Sequence, residues 1–300
     1  MKAVITVNDL TKTYGSVRGI QHVNFDVTEG EVFGFLGPNG AGKTTTIRTL
    51  LDFIRPSSGS ASILGMDSHR DSLAIRRQVS YLPGELVMYE HMTGRDLLNY
   101  FANLRGGVPW SEIEAIAKRL ELDTSRKIRT LSKGNKQKVG LVQAFMGKPK
   151  VMFLDEPTSG LDPLMQQIFY ELVRDAQANG STVFLSSHLL AEVEHICDRV
   201  GIIRAGELLV VDTVASLKEK SSRSFDFYFA QPVPITAFDQ LEQVQNLHVD
   251  GKHVHCSITG SVNPLIKAVA QFELENIVTH QTDLEDVFLT YYKGEVSHAA

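Results

Sequence analysis

Two cysteines in 300 residues, Cys197 and Cys256, cannot make a disulfide framework, and neither sits in a CxxC pair. A reducing compartment is expected. Long apolar runs are missing too. No window approaches the ~18 uninterrupted apolar residues of a membrane span, and stretches such as STVFLSS and VGIIRAGELLVV are short or broken by polar groups. MKAVITVNDL, at the start, lacks the apolar core of a signal peptide. Basic charge is not in excess either, and a net charge of -5 argues against a nucleic-acid partner. What remains, 43% hydrophobic and 22% charged, suits an ordinary globular chain long enough for two domains.

Up to about residue 215 the chain alternates short apolar runs with helical patterns, which predicts an α/β core with parallel strands. EVFGFLG (31–37), VMFLDE (151–156) and TVFLSSH (182–188) are apolar throughout and end in glycine or polar residues, as strands buried on both faces do. Residues from about 85 to 148 differ. DLLNYFANL and SEIEAIAKRLEL space their apolar residues at helical intervals, so a helical insertion is expected there. SLKEKSSRS (216–224) turns polar and reads as a linker. From about 222 onward a small α+β domain is expected: FDFYFA alternates, and LHV-DG-KHVHC signals a hairpin turning at Asp250-Gly251. TDLE (282–285) reads as a capping box opening a last helix, with Leu284, Val287, Phe288 and Tyr291 on one face.

GPNGAGKT follows the strand EVFGFL and leads into the helical TTIRTLLDF, the context that GxxxxGK[ST] requires of a phosphate-binding loop. Gly37, Gly40 and Gly42 permit close backbone approach, and Pro38, Asn39 and Ala41 complete the loop before Lys43, Thr44 and Thr45. The loop's N–H groups and the helix N-terminus would cradle phosphates, Lys43 would pair with the β- and γ-phosphates, and Thr44 would hold Mg²⁺. VMFLDEP places Asp155 and Glu156 at the end of a hydrophobic strand, where a βα site collects its ligands. Successive strand residues point to opposite sides, so one carboxylate can reach the metal while the other takes up a water as general base. His188 ends a similar strand and would contact the γ-phosphate or the attacking water. LSKGNKQK (131–138) has no catalytic side chain; NKQK approximates the guanine-reading NKxD, but Lys138 stands where aspartate is required.

With the phosphate loop, VMFLDEP, TSGLD (158–162) and FLSSH in this order, residues 4 to about 215 resemble the nucleotide-binding subunit of an ATP-binding cassette (ABC) transporter. LSKGN then matches the family's LSGGQ signature, with Lys133 and Asn135 as departures. The resemblance implies a P-loop NTPase core over residues 1–215, carrying a helical subdomain, with a C-terminal accessory domain over 222–300 of the type found on bacterial exporter ATPases. It implies ATP and Mg²⁺ as ligands, with Asp155 on the metal and Glu156 and His188 in catalysis. Tyr14 would stack on adenine; Ser132 and Gly134 would face the γ-phosphate of a second ATP-binding subunit, most simply another copy; Asp162 would link the two sites. A separate transmembrane permease would hold the chain at the inner face of the membrane.

One position departs from the family, which usually has glutamine where Gly84 stands, with Glu85 next. Leu86, Val87, Met88 and Tyr89 are unusually apolar for a loop and are expected to meet the permease or to pack locally. On the hairpin, His248 would face His253 with His255 on the same side, a possible Zn²⁺ site or simply a solvated face. The alternative to a transport motor is a soluble ABC ATPase acting as an ATP-switched regulatory or assembly module.

Overall fold

The computed structural model describes residues 2–220, 223–238, 241, 244–258 and 261–280. The chain divides between Asp212 and Thr213 into two compact units.

The first unit opens with a long hairpin of β1 (Ala3–Tyr14) and β2 (Val17–Thr28), followed by β3 (Val32–Leu36), which is buried at every residue. α1 (Lys43–Leu50) leaves the phosphate loop, and β4 (Ser58–Ile63), β5 (Met66–Asp67), α2 (Ser72–Arg76) and β6 (Val79–Leu82) follow. Next come α3 (Gly94–Leu104), α4 (Trp110–Arg119) and α5 (Lys133–Phe145), the helical stretch expected over 85–148. α3 begins at a capping box in which Thr93 and Asp96 satisfy each other's backbone N–H groups. β7 (Val151–Asp155), α6 (Pro163–Ala178), β8 (Thr182–Ser187), α7 (Leu190–Ile196), β9 (Arg199–Arg204) and β10 (Glu207–Thr213) complete the unit.

Among the described residues these strands form a four-stranded sheet, β2-β1-β4-β5, and a six-stranded sheet, β10-β9-β3-β8-β7-β6. The first is antiparallel. In the second, β9, β3, β8, β7 and β6 run parallel, which places the ends of β3, β7 and β8 along one edge. Phenylalanines fill the space between the sheets: Phe25 of β2 stacks on Phe33, with ring centroids 5.5 Å apart, and Phe184 packs on Phe25, Phe33, Phe35 and Phe153. Phe33 and Phe35 share a face by the two-residue strand period. Gly34 lies on the other face, where a Cβ would come within 2.9 Å of Cys197 Sγ and 3.0 Å of Val193 Cγ1, so β3 accepts α7 at close range. No helix among the described residues is long and apolar enough to cross a membrane.

The second unit contains α8 (Val214–Lys220), β11 (Arg223–Phe229), β12 (Val244–Asp250), β13 (His253–Ile258), α9 (Asn263–Val269) and β14 (Leu274–His280). The antiparallel sheet β12-β13-β11-β14 buries Phe225, Phe227, Phe229, Val254 and Cys256 with Leu265 and Val269 of α9. Three expectations change here. The stretch read as a linker is α8 followed by β11; its polar composition does not prevent Leu217 from being fully buried. The hairpin turns at Gly251-Lys252, with Asp250 opposite His253 and His248 opposite His255. Gly251 has φ 59° and Lys252 does not take positive φ, as a II′ turn requires. The zinc site fails: among the described residues no group of three His, Cys, Asp or Glu is arranged to hold a metal ion. Instead His253 and His255 both hydrogen-bond Asp226 Oδ1, at 2.7 and 2.9 Å, and His253 stacks on Tyr228. The capping box at 282–285 and the helix face of Leu284, Val287, Phe288 and Tyr291 lie outside the described residues.

Phe184 touches both layers of the first unit, so Phe184→Ala is expected to cost about 3–5 kcal/mol of stability. The check is chemical denaturation, as a lowered unfolding midpoint; a loss below about 1 kcal/mol would mean that the aromatic cluster does not hold the sheets together.

Candidate functional site

β3 ends at Leu36, and the loop that follows is shaped by what its glycines touch. A Cβ on Gly37 would meet Ile203 O at 2.3 Å. One on Gly42 would meet Ile20 Cγ2 at 2.7 Å, on a backbone with φ 111°. Only glycine fits either place. No side chain caps α1, so its first N–H groups remain available to an anion at the loop.

Lys43 is buried, and its ammonium is fully engaged. Nζ donates to Gly37 O at 2.7 Å and Pro38 O at 3.1 Å, and pairs with Glu156 Oε1 at 3.1 Å. Three protons meet three oxygens, which is what makes a buried ammonium tolerable. Glu156 in turn meets His188 Nδ1 through Oε2 at 2.5 Å. Lys43, Glu156 and His188 therefore form one continuous line of polar contacts across the ends of β3, β7 and β8.

Asp155, the last residue of β7, is fully buried. Thr44 Oγ1 donates to its Oδ2 at 2.7 Å, and Ser186 Oγ donates to its Oδ1. Burial, and then the Asp155 charge, raise the pKa of Tyr81 on the neighbouring strand. Thr44 and Asp155 supply adjacent hard oxygen donors, the type of ligand that suits Mg²⁺. The two acids diverge because the chain turns between them: Glu156 has φ 51°, in the left-handed region, and its N–H is held by Ser186 O at 3.1 Å.

Tyr14 joins this site, since it lines a cleft of ≈ 340 Å³ with Asn39, Gly40, Lys43, Thr44, Thr45 and Glu156. Its ring is half exposed, with Lys12 Nζ 5.2 Å from the ring centroid. Ser132 and Gly134 sit apart from the cleft, at the start of α5. Ser132 caps that helix by accepting from Asn135 N at 3.3 Å. Gly134 lies against the loop after β7, where a Cβ would come within 2.7 Å of Gly160 O. Asp162 caps α6 through Met165 N at 3.0 Å. Gly84 lies over Asp155, with a Cβ position 3.5 Å from Oδ2, whereas Glu85 is exposed.

Two contacts escaped the motif reading. Ser186 reaches Asp155, and buried Gln137 Nε2 donates to Pro157 O at 2.7 Å, tying α5 to the loop that carries Glu156. The first had a signal, a pair of serines closing a wholly buried strand; the second lies in a helix that looked merely polar.

The ABC transporter family profile matches residues 20–159. The chain is 32% identical to the bacitracin transport ATP-binding protein BcrA of Bacillus licheniformis, over 98% of this chain and 99% of that protein. Among solved structures it is similar to an ATP-binding subunit of an ABC transporter, at 32% identity and TM-score 0.66, over 72% of this chain and 92% of the other. It also shares the fold of the dimeric bacterial ABC transporter cassette MJ0796, at 22% identity and TM-score 0.65, over 70% of this chain and 98% of the other. A phosphate loop closed by a buried lysine, an acid pair split between metal-type and base-type surroundings, and this likeness along the whole chain agree, and the chain belongs to the ABC transporter family as an ATP-binding, ATP-hydrolysing subunit.

Proposed function

We propose that this subunit powers export through a separate membrane permease, and that it works as a pair of identical ATP-binding units. The observation that carries the catalytic part is the line Lys43–Glu156–His188 beside the Thr44–Asp155 pair. Lys43 is placed to exchange its contact with Glu156 for the terminal phosphates, which frees Oε1 to accept a proton from water. His188 holds the other carboxylate oxygen and so fixes the direction from which that water is presented. Thr44 and Asp155 would hold Mg²⁺, which neutralises phosphate charge when bound. The exposed Tyr14 ring offers a π-face for adenine at the rim of the same cleft.

Ser132 and Gly134 stand outside that cleft, at the N-terminus of α5, where Ser132 caps the helix and the other first-turn N–H groups can receive a phosphate from another subunit. A head-to-tail pair gives each ATP the phosphate loop of one copy and the signature loop of the other, with Asp162 at the joint between sites. The cassette MJ0796 is named as dimeric and BcrA as a transport protein, and both support the reading. Outward direction rests on the bacitracin relative and on the accessory unit.

For the permease, the loop after β6 offers the contact. Val87 is 96% exposed and Tyr89 58% exposed, with the Tyr89 ring edge-on to Tyr100 at 5.9 Å. Two apolar side chains exposed on one loop support this as the surface that receives a partner helix.

Glu156→Gln keeps the shape of the side chain but cannot take a proton. Turnover is expected to fall by roughly 10²–10⁴-fold, with an ATP-bound dimer accumulating on size-exclusion chromatography. A variant that hydrolyses ATP like the wild type removes Glu156 as the base. For docking, Val87→Glu with Met88→Glu is expected to abolish copurification with the permease while basal ATPase activity stays within about twofold, a change under ~0.5 kcal/mol. Intact association would sink the docking assignment.

A further inference from the structure

The chain carries a net charge of -5, yet one cleft of the first unit gathers cations that are not paired with acids. It holds ≈ 420 Å³ and opens between the connection from α3 to α4 and the turn that enters β7. Arg77 comes from the end of α2, Arg105 from the end of α3, and Lys148 and Lys150 from the turn before β7. β6 and β7 run parallel; Gln78 and Lys150 stand directly before them, whereas Asp155 closes β7 and Glu156 follows it. The cleft therefore lies at the opposite edge of the sheet from the phosphate loop.

Its walls are in close contact. Gly147 packs against the α3–α4 connection, where a Cβ would come within 3.0 Å of Val108 Cγ2. The Gly147 N–H donates to Glu112 Oε1 at 2.7 Å, so the one carboxylate in the lining is engaged with backbone. Lys148 follows with φ 46°, a left-handed conformation that disfavours any residue but glycine, so the turn is held in an unusual shape. Arg105 is half-buried, and of its five N–H donors one is spent, on Met146 O at 3.2 Å. Lys150 Nζ donates to Gln78 Oε1 at 2.9 Å, a neutral partner that leaves its charge uncompensated. Other arginines of the unit do find acids: Arg18 meets Glu207, Arg119 meets Glu171 and Asp175, and Arg199 meets Glu31. Burial lowers the Arg105 pKa, as it does for a cation drawn out of water without a counter-charge.

A guanidinium with four open N–H groups offers the planar fork that fits the oxygens of a phosphate, and the flanking cations add charge from three sides. Four cations against one carboxylate call for more than a single negative charge, which a phosphate monoester supplies on one compact group. We propose that this cleft is a second phosphate-binding site, separate from the phosphate loop, which takes the phosphate of a lipid headgroup or of a free phosphorylated compound. Its volume falls among those of small-molecule sites, roughly 300–1,000 Å³, so the phosphate enters with an organic group attached.

The test uses the full chain with ADP saturating the phosphate loop. Binding of inorganic pyrophosphate is followed by calorimetry, and binding to vesicles of phosphatidic acid in phosphatidylcholine by flotation. Wild type is compared with the double variant Arg77→Gln, Lys148→Gln, whose side chains are both exposed. The control, Lys118→Gln with Lys127→Gln, removes the same charge from exposed positions outside the cleft. The cleft variant is expected to lose at least about tenfold in affinity, or ~1.4 kcal/mol, while the control stays within about twofold of wild type. Pyrophosphate should also raise the melting temperature of wild type and leave that of the cleft variant unchanged. Binding to pyrophosphate without vesicle binding identifies a free phosphorylated compound as the source; vesicle binding that pyrophosphate displaces identifies a lipid headgroup. Binding of neither probe, or an equal loss in both double variants, overturns the site. A wild-type preference for a glutamate-rich peptide over pyrophosphate overturns it too, in favour of an acidic protein partner. No arm reads ATP turnover, so the outcome is independent of the role given to Glu156.

Discussion

The ammonium of Lys43 is the point on which the site is built. A lysine this deeply buried is stable only if every proton is spent, and its three acceptors come from two constraints. Gly37 and Pro38 give carbonyls because the loop curls over the side chain, and it can curl because Gly37 and Gly42 leave no bulk against Ile203 and Ile20. The third acceptor, Glu156, brings in the end of β7, and through it His188 and β8. Removing the charge would leave two carbonyls and a carboxylate facing one another.

The aromatic layer matters to this arrangement from a distance. Phe33 and Phe184 fix β3 and β8 relative to the antiparallel sheet, while the opposite face of β3 accepts α7 at Gly34. The strand ends are therefore set from both sides. Chemistry that needs side chains from three strands within hydrogen-bonding distance requires a sheet that cannot shear, and a close-packed interior supplies that.

Much of this was legible in the sequence where the information is local. GPNGAGKT and VMFLDEP each carry their own secondary-structure context, so a strand end, a loop and a helix start could be placed without knowing the fold. Partners distant in the chain were not legible. Nothing in FLSSH says which acid Ser186 will meet, and nothing in KQK says that Gln137 turns inward to Pro157. The hairpin erred for a different reason. Asp-Gly favours a turn with both residues at positive φ, yet Gly251 followed by Lys252 satisfies a turn that needs only one, and the strand slid by two residues on the same face.

The contact between Gly134 and Gly160 joins two glycines with no side chain between them. A joint of that kind has no rotamer to absorb displacement, and Gln137 reinforces it one turn further along α5. The start of α5 and the loop bearing Glu156 are thus joined through backbone atoms. In the head-to-tail pair proposed above, the two ends of that joint would touch different nucleotides. Pressure from one ATP on α5 would then reach the Glu156 that serves the other, and alternation between sites would need no element beyond one chain's own backbone.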